Sequence, residues 1–217
     1  MPVATNRRKQ AELTRLRILS SAASRFAELG FRETRLEDIG EDAGVGRSAV
    51  LYHFNDKRQL YAAVLDDLFG GLLAELRLAL MRPGLLAARL EAGVSAFVDY
   101  MGRRPDAARI AVRESVNPEP SLQTEIRRQS LAFLALLEST FSEGERTGAF
   151  RPLRSDPLHF ASAVAGATLF YVAALPTFVA DLPYDPLSEE QLNAHKRDVL
   201  AITRRLLGIG GPKLAST

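Results

Sequence analysis

The stretch from Thr34 to Phe54 constrains this chain more than any other, because it fits two short helices pinned together by a glycine turn. Thr34 followed three residues later by Glu37 has the spacing of a capping box, in which side chain and backbone satisfy each other's orphan donors. Ile39 and Ala43 then share one helical face. Gly44 supplies the left-handed conformation that ends a helix, and Val45 can tuck under the turn. The spacing predicts a second helix over about Arg47 to His53, with Val50 and Phe54 inward and Arg47, Ser48, Ala49 and His53 outward. Ser48 and Ala49 are small, so the leading face of this helix can come close to a base edge. A helix-turn-helix built this way puts the start of its second helix into the DNA major groove. Helical hairpins are also common in proteins that never meet DNA, so the turn alone carries little weight.

Its surroundings add weight. Ile18, Ala22 and Phe26 form one stripe of a helix predicted from about Ala11 to Leu29, which Gly30 ends and which can close a three-helix core over Ile39 and Val50. Its leading and outward positions up to Arg17 are basic: Arg7, Arg8, Lys9, Arg15 and Arg17 stand against the single acid Glu12. Residues 1–61 hold 11 Lys+Arg and 8 Asp+Glu, a net of +3, whereas the remainder holds 17 and 18, a net of −1. The basic end is the one suited to a polyanion. A run of charges is usually only a solvated face, but one sign dominates here, which favours phosphate contact.

These residues together resemble the TetR/AcrR family of one-component transcriptional repressors. The resemblance is carried by Ile18, Ala22 and Phe26 with Gly30-Phe31, then Thr34, Asp38-Ile39, Ala43-Gly44-Val45, Tyr52-His53-Phe54 and Lys57, and it covers about residues 11 to 62. It implies that His53 and Lys57 touch the DNA backbone, with Thr34 in the same role at the start of the preceding helix. With Arg15, Arg35, Gly46, Arg47, Ser48, Ala49 and Tyr52 they form the candidate DNA face. Arg47 can grip a guanine edge in two places or touch one more phosphate. One position departs from the family pattern. A phosphate-contacting tyrosine usually stands three residues before the phenylalanine, and Leu51 stands there in this chain. Tyr52 is one residue late, rotated by about a quarter turn, so it either packs or reaches a phosphate from another angle.

The rest of the chain reads as helices with clear punctuation and no strand pattern or internal repeat. Asp56 with Gln59 opens a long helix to about Met81, which Arg82-Pro83-Gly84 breaks. Further helices are predicted over Leu85 to Arg103, Asp106 to Val116 and Ser121 to Thr147. Asp156-Pro157 starts an apolar helix. Ser188 with Gln191 caps the last one, which Gly208 stops. The expected fold is all-α with about nine helices: a helix-turn-helix DNA-binding domain over 1–56, a helical body over 57–210 and a flexible tail over 211–217. The family resemblance implies that the body binds a small-molecule ligand and dimerises.

Phe160 to Ala180 contains no charged residue and reaches the roughly 20 residues that span a bilayer. Ser162, Thr168, Tyr171 and Thr177, with Gly166 and Pro176, make it a poor membrane segment. A helix apolar all round is expected to be buried from every side instead, with Ala163, Gly166, Ala167 and Phe170 at the centre of a dimer interface. Candidate ligand-binding residues are Phe97, Tyr100 and Met101 on one helical face, Phe133 and Leu137 on another, Phe170 and Tyr171 on the apolar helix, and the polar pair Arg113 and Glu114, which can also simply pair with each other. Any of these apolar side chains can equally be ordinary core.

The chain has no cysteine, which excludes disulfides and thiolate metal sites. His53, His159 and His195 lack a second ligand at helical spacing, so no metal is expected. No apolar h-region follows the N-terminal charges, so no signal peptide is expected and the cytoplasm is the expected compartment. No nucleophile elbow, phosphate loop or catalytic carboxylate pair is present, and neither an enzyme nor a cofactor is expected. The expected partners are palindromic double-stranded DNA, a small-molecule effector and a second copy of the chain, with no membrane. A rival reading is a helical carrier or lipid-binding protein whose basic head docks a protein. Steep loss of DNA affinity with salt separates the two.

Overall fold

The structure, a computed structural model, describes residues 3–153 and 156–209 and, among these, side chains from Arg7 onward. The expected tail over 211–217 lies outside the described residues. Within them the chain is all-helical, in nine rods. Three make the head: α1 (Val3–Glu33), α2 (Leu36–Asp42) and α3 (Arg47–Phe54). The body begins with α4 (57–80) and continues through α5 (Leu86–Arg103), α6 (Pro105–Val116), α7 (Gln123–Thr147), α8 (157–178) and α9 (Glu189–Leu207). Two rods carry a wide π turn, Asp66–Gly70 within α4 and Phe170–Ala174 within α8.

Local chemistry accounts for most boundaries and corrects two. Gly30 leaves helical geometry at φ 81°, a value that suits a residue without Cβ. The break leaves carbonyls of α1 open, and the Thr34 hydroxyl is spent on them, donating to Gly30 O at 2.7 Å and Arg25 O at 3.2 Å. The expected Thr34–Glu37 capping box therefore does not form; Arg35 occupies the position before α2 and gives no side-chain cap. At α4 the Asp56 carboxylate does accept from the Gln59 amide at 2.7 Å, while the Gln59 side chain accepts from Asn55 at 2.9 Å. Ser188 precedes α9, yet its hydroxyl donates to Asp185 O instead of capping the helix. Gly148 and Gly208 end α7 and α9 in the left-handed conformation.

The head core is filled by Ile18, Ala22, Phe26, Ile39 and Val50, all without exposed surface. Tyr61 of α4 joins it, its ring 4.4 Å from Phe26 and 5.5 Å from Phe31. Further ties cross from head to body: Ser24 donates to Asp106 at 2.9 Å and Arg113 to Glu28 O at 2.8 Å. In the body, α4 to α9 carry the same apolar core onward. Within the single chain α8 is buried on one side only. Phe160, Val164, Thr168 and Val172 face inward, but Ser162, Gly166, Phe170 and Phe178 are exposed in the single chain. Composition reports that a helix is apolar; it does not report how many sides neighbours of the same chain cover.

Candidate nucleic-acid interface and central cavity

Two hydrogen bonds set the turn between α2 and α3. Val45 N–H donates to Gly40 O at 2.8 Å and Gly44 N–H to Glu41 O at 3.0 Å, with Gly44 at φ 67°, which is the Schellman pattern of a helix end. A Cβ on Gly40 would stand 2.9 Å from Val45 O, so the turn folds tightly onto α2. Arg25 donates to both carboxylate oxygens of Asp42, at 2.5 and 2.8 Å, and so clamps α2 to α1. That bond holds the Asp42 carboxyl below its ordinary range. The angle at which α3 leaves the head is thereby fixed by backbone geometry and a forked ion pair.

Much of α3 faces outward. Gly46, extended at the position before it, offers no side-chain acceptor to the first amides, so these are free to meet solvent or a phosphate. Arg47 and Ser48 are exposed and Ala49 is half-buried. The Arg47 guanidinium lies 3.2 Å from Glu37, an exposed pair of the kind that holds little energy. Tyr52 is 81% exposed and meets the half-buried His53 ring edge-on at 5.3 Å. Of the two alternatives for Tyr52, packing into the core is the one the structure removes. Arg35 is exposed, and Arg15 is half-buried with its guanidinium 5.2 Å over the Phe54 ring.

Two residues on the candidate DNA face are placed otherwise. The side chain of Thr34 is buried and its hydroxyl is bound to α1. Lys57 turns back on the head: its ammonium donates to Arg32 O at 3.0 Å and Thr34 O at 2.8 Å and sits 4.7 Å from the centre of the Phe31 ring. Burial pushes the Lys57 ammonium below its ordinary pKa. A cation at the end of α1 satisfies loose carbonyls and the helix dipole, which leaves neither side chain reaching outward to a phosphate.

In the body a cavity of about 340 Å³ lies among α4, α5, α6, α7 and α8. Of the candidate ligand-binding residues, Phe97, Met101, Glu114 and Phe133 line it. Leu137, with Phe97 and Phe133, lines a smaller apolar void of about 70 Å³ next to it. Tyr100, Arg113, Phe170 and Tyr171 do not reach the larger cavity. The Tyr100 hydroxyl donates to Leu68 O at 2.5 Å and lies against Gly71, bracing the π turn of α4. Arg113 caps the broken end of α1, where it packs on Gly30. Phe170 is 55% exposed and stacks on Phe178. Tyr171 binds the Tyr184 hydroxyl at 3.0 Å and stacks on His195 at 4.0 Å; burial, then that bond, pushes its pKa up.

The sequence reading did not single out Tyr61, Ser115, Gln129 or Ser130. Tyr61 is wholly buried and donates to Glu114 Oε1 at 2.7 Å, which links the cavity wall to the aromatic core of the head. Glu114 and Arg113 part company rather than pairing: the acid faces the cavity and the base faces α1. A tyrosine within an apolar helical stretch was the available signal, since a buried phenol needs a partner.

Residues 18–64 match the family described as bacterial regulatory proteins, tetR family, and residues 87–202 match the tetracyclin repressor-like C-terminal domain. The HTH-type transcriptional regulator RutR of Escherichia coli K12 is 32% identical over 164 residues, which cover 73% of this chain and 74% of RutR. Among solved structures, the fatty acid degradation regulator FadR from Bacillus halodurans aligns with a TM-score of 0.70 at 19% identity, over 92% of this chain and 96% of its own. FadR from Bacillus subtilis, solved in complex with stearoyl-CoA, aligns at 0.67 and 18% identity over 87% and 96%. The two structural likenesses speak for the fold; the matched domains and the similarity to RutR speak for kinship. The chain belongs to the TetR/AcrR family of helix-turn-helix transcriptional regulators.

Proposed function

We propose that this regulator is a homodimeric repressor of the cytoplasm that holds a palindromic operator and lets go when a small molecule enters the central cavity. The observation that carries the reading is α3, whose exposed Arg47, Ser48 and Tyr52 project from a helix end fixed by the Gly40–Val45 turn. In this reading residues 1–56 form the DNA-binding domain and residues 57–210 the ligand-binding and dimerising body. Arg15, Arg35, Gly46, Ala49 and His53 complete the DNA face. The exposed apolar side of α8, with Ala163, Gly166, Ala167 and Phe170, packs against a second copy. Two such heads reach successive major grooves when their recognition helices stand about 34–36 Å apart.

The release mechanism rests on ties between cavity and head. Glu114 holds Tyr61, and Arg113, its neighbour on α6, holds the end of α1. A ligand that moves α6 therefore moves both grips on the head. A hundredfold loss of operator affinity needs a coupling of about 2.7 kcal/mol, so the ligand must favour the released state by that amount. The stearoyl-CoA complex of the fold neighbour from Bacillus subtilis supports a body arranged around a ligand.

The decisive experiment selects duplexes from a random pool with the purified protein and titrates the winner at two salt concentrations. The expected result is an inverted repeat whose affinity falls steeply with salt, because phosphate contacts release counterions. Recovery of no preferred sequence, or binding indifferent to salt, overturns the reading in favour of a carrier.

A further inference from the structure

Among the described residues lining the large cavity, Glu114 is the only ionisable one, and no lysine, arginine or histidine accompanies it. It is 8% exposed. Both of its oxygens accept, Oε1 from the Tyr61 hydroxyl at 2.7 Å and Oε2 from the Glu119 amide at 2.8 Å, which leaves each oxygen with further acceptor capacity. Among the described residues it makes no ion pair. A carboxylate out of water without a cation is costly.

The two hydroxyl hydrogens of the wall and one hydrogen of its amide are already given to acceptors of the protein. Ser115 donates to Val112 O at 2.8 Å, Ser130 to Ile126 O at 3.0 Å, and the Gln129 amide nitrogen to Asp66 at 2.7 Å. What the wall mainly offers to a ligand is lone pairs: two hydroxyl oxygens, an amide oxygen and the unused sites of a carboxylate, beside one remaining N–H of Gln129. The remainder, with Phe69, Phe97, Met101 and Phe133 prominent, is apolar. An anionic head group would meet like charge and a single amide N–H; an ammonium would meet acceptors and supply the missing counter-ion.

Resting on the ligand-responsive reading above, we propose that the effector is a cationic amphiphile, an apolar body bearing a protonated amine that Glu114 accepts. The same contact reaches the operator, because the oxygen it competes for is the one that holds Tyr61, whose ring packs on Phe26 and Phe31 in the head. This differs from the stearoyl-CoA held by the fold neighbour from Bacillus subtilis.

The test uses the full-length protein with octylamine, octanol, octanoate and octanoyl-CoA, reading thermal stabilisation of the free protein and, separately, release of the selected operator. Octylamine is expected to bind roughly tenfold more tightly than octanoate, a preference that charge pairing in a partly dry site readily supplies, and to release DNA. Glu114→Gln removes the preference. Tyr61→Phe keeps the carboxylate, so it still binds octylamine, while the ratio of operator affinities without and with octylamine shrinks. Tighter binding of octanoate or octanoyl-CoA to the unaltered protein overturns the charge assignment and leaves ligand-controlled release standing. Stabilisation by none of the four, with the operator still bound, overturns both. Unchanged discrimination in a folded Glu114→Gln protein overturns the role of that residue.

Discussion

The head and the body solve opposite problems with the same helical material. In the head, Phe26 and its neighbours leave no exposed core surface, and the turn between α2 and α3 and the seat of α2 on α1 are fixed by named backbone bonds and an ion pair. In the body, Phe97 is nearly as well covered, yet it borders both a cavity of about 340 Å³ and a void of about 70 Å³. The contrast teaches where each kind of precision is required. A surface that reads base edges must hold its geometry when free, because misplacement forfeits contacts, whereas an effector site needs unfilled volume and segments able to shift.

Paired truncations test this contrast most strongly. Phe26→Ala is expected to lower unfolding stability by about 3–5 kcal/mol, since a packed core leaves a hole that cannot collapse. Phe97→Ala is expected at or below the lower end, about 3 kcal/mol, because its ring already borders empty space. Urea denaturation of both compares them, and equal losses would abolish the distinction. A smaller effect is expected of Arg47→Ala. It relaxes preference at one base pair of each half-site by about 1–3 kcal/mol if Arg47 reads a base; a uniform loss across all sequences marks a phosphate contact. Competition binding with altered half-sites distinguishes the outcomes. Gly44→Ala comes next. Forcing a side chain into the left-handed region costs roughly 1–2 kcal/mol, visible as a lowered melting temperature and, because the turn aims α3, as weaker operator binding.

The smallest effect concerns the Arg25–Asp42 clamp. Its carboxyl is held below the ordinary range by the bond from Arg25. A depressed carboxylate contributes fully above its unfolded value, about 3.9, and loses that contribution as pH falls through the lower folded value. Asp42→Asn is therefore expected to flatten the acid limb of the stability profile below about pH 4 and to leave its slope near neutrality unchanged. Acid titration followed by circular dichroism measures this.

Much of the head was legible in sequence because its determinants are local. Gly44, Val45, Val50 and Phe54 lie within a few residues of what they touch, so spacing alone places them. The inward contacts of Lys57 and Thr34 had no such signal. Their partners, Arg32 O and Gly30 O, are carbonyls freed by an irregularity in α1, and no residue pattern announces an unsatisfied carbonyl. Arg113 is an extreme case, reaching Glu28 across 85 positions of chain. In the body, periodicity brought Phe97, Met101 and Phe133 to one cavity, but it pointed Tyr100 and Tyr171 there as well. A stripe shows that a side chain faces inward; whether it meets an atom or a void depends on what the opposite helix brings.

The π turn at Asp66–Gly70 has a consequence for how the head is aimed. Leu68, Leu72, Leu76 and Leu80 are buried at intervals of four, and on a regular helix each such step drifts by about 40° around the axis. The wide turn takes up the first of these steps, from Leu68 to Leu72, ahead of the regular stretch that follows. Removing one residue there would restore an ordinary pitch to the rod, swinging all that precedes it by roughly 100°. The bearing of α3 toward a duplex is thus written partly in the winding of a connecting rod, more than ten residues beyond the helix that reads it.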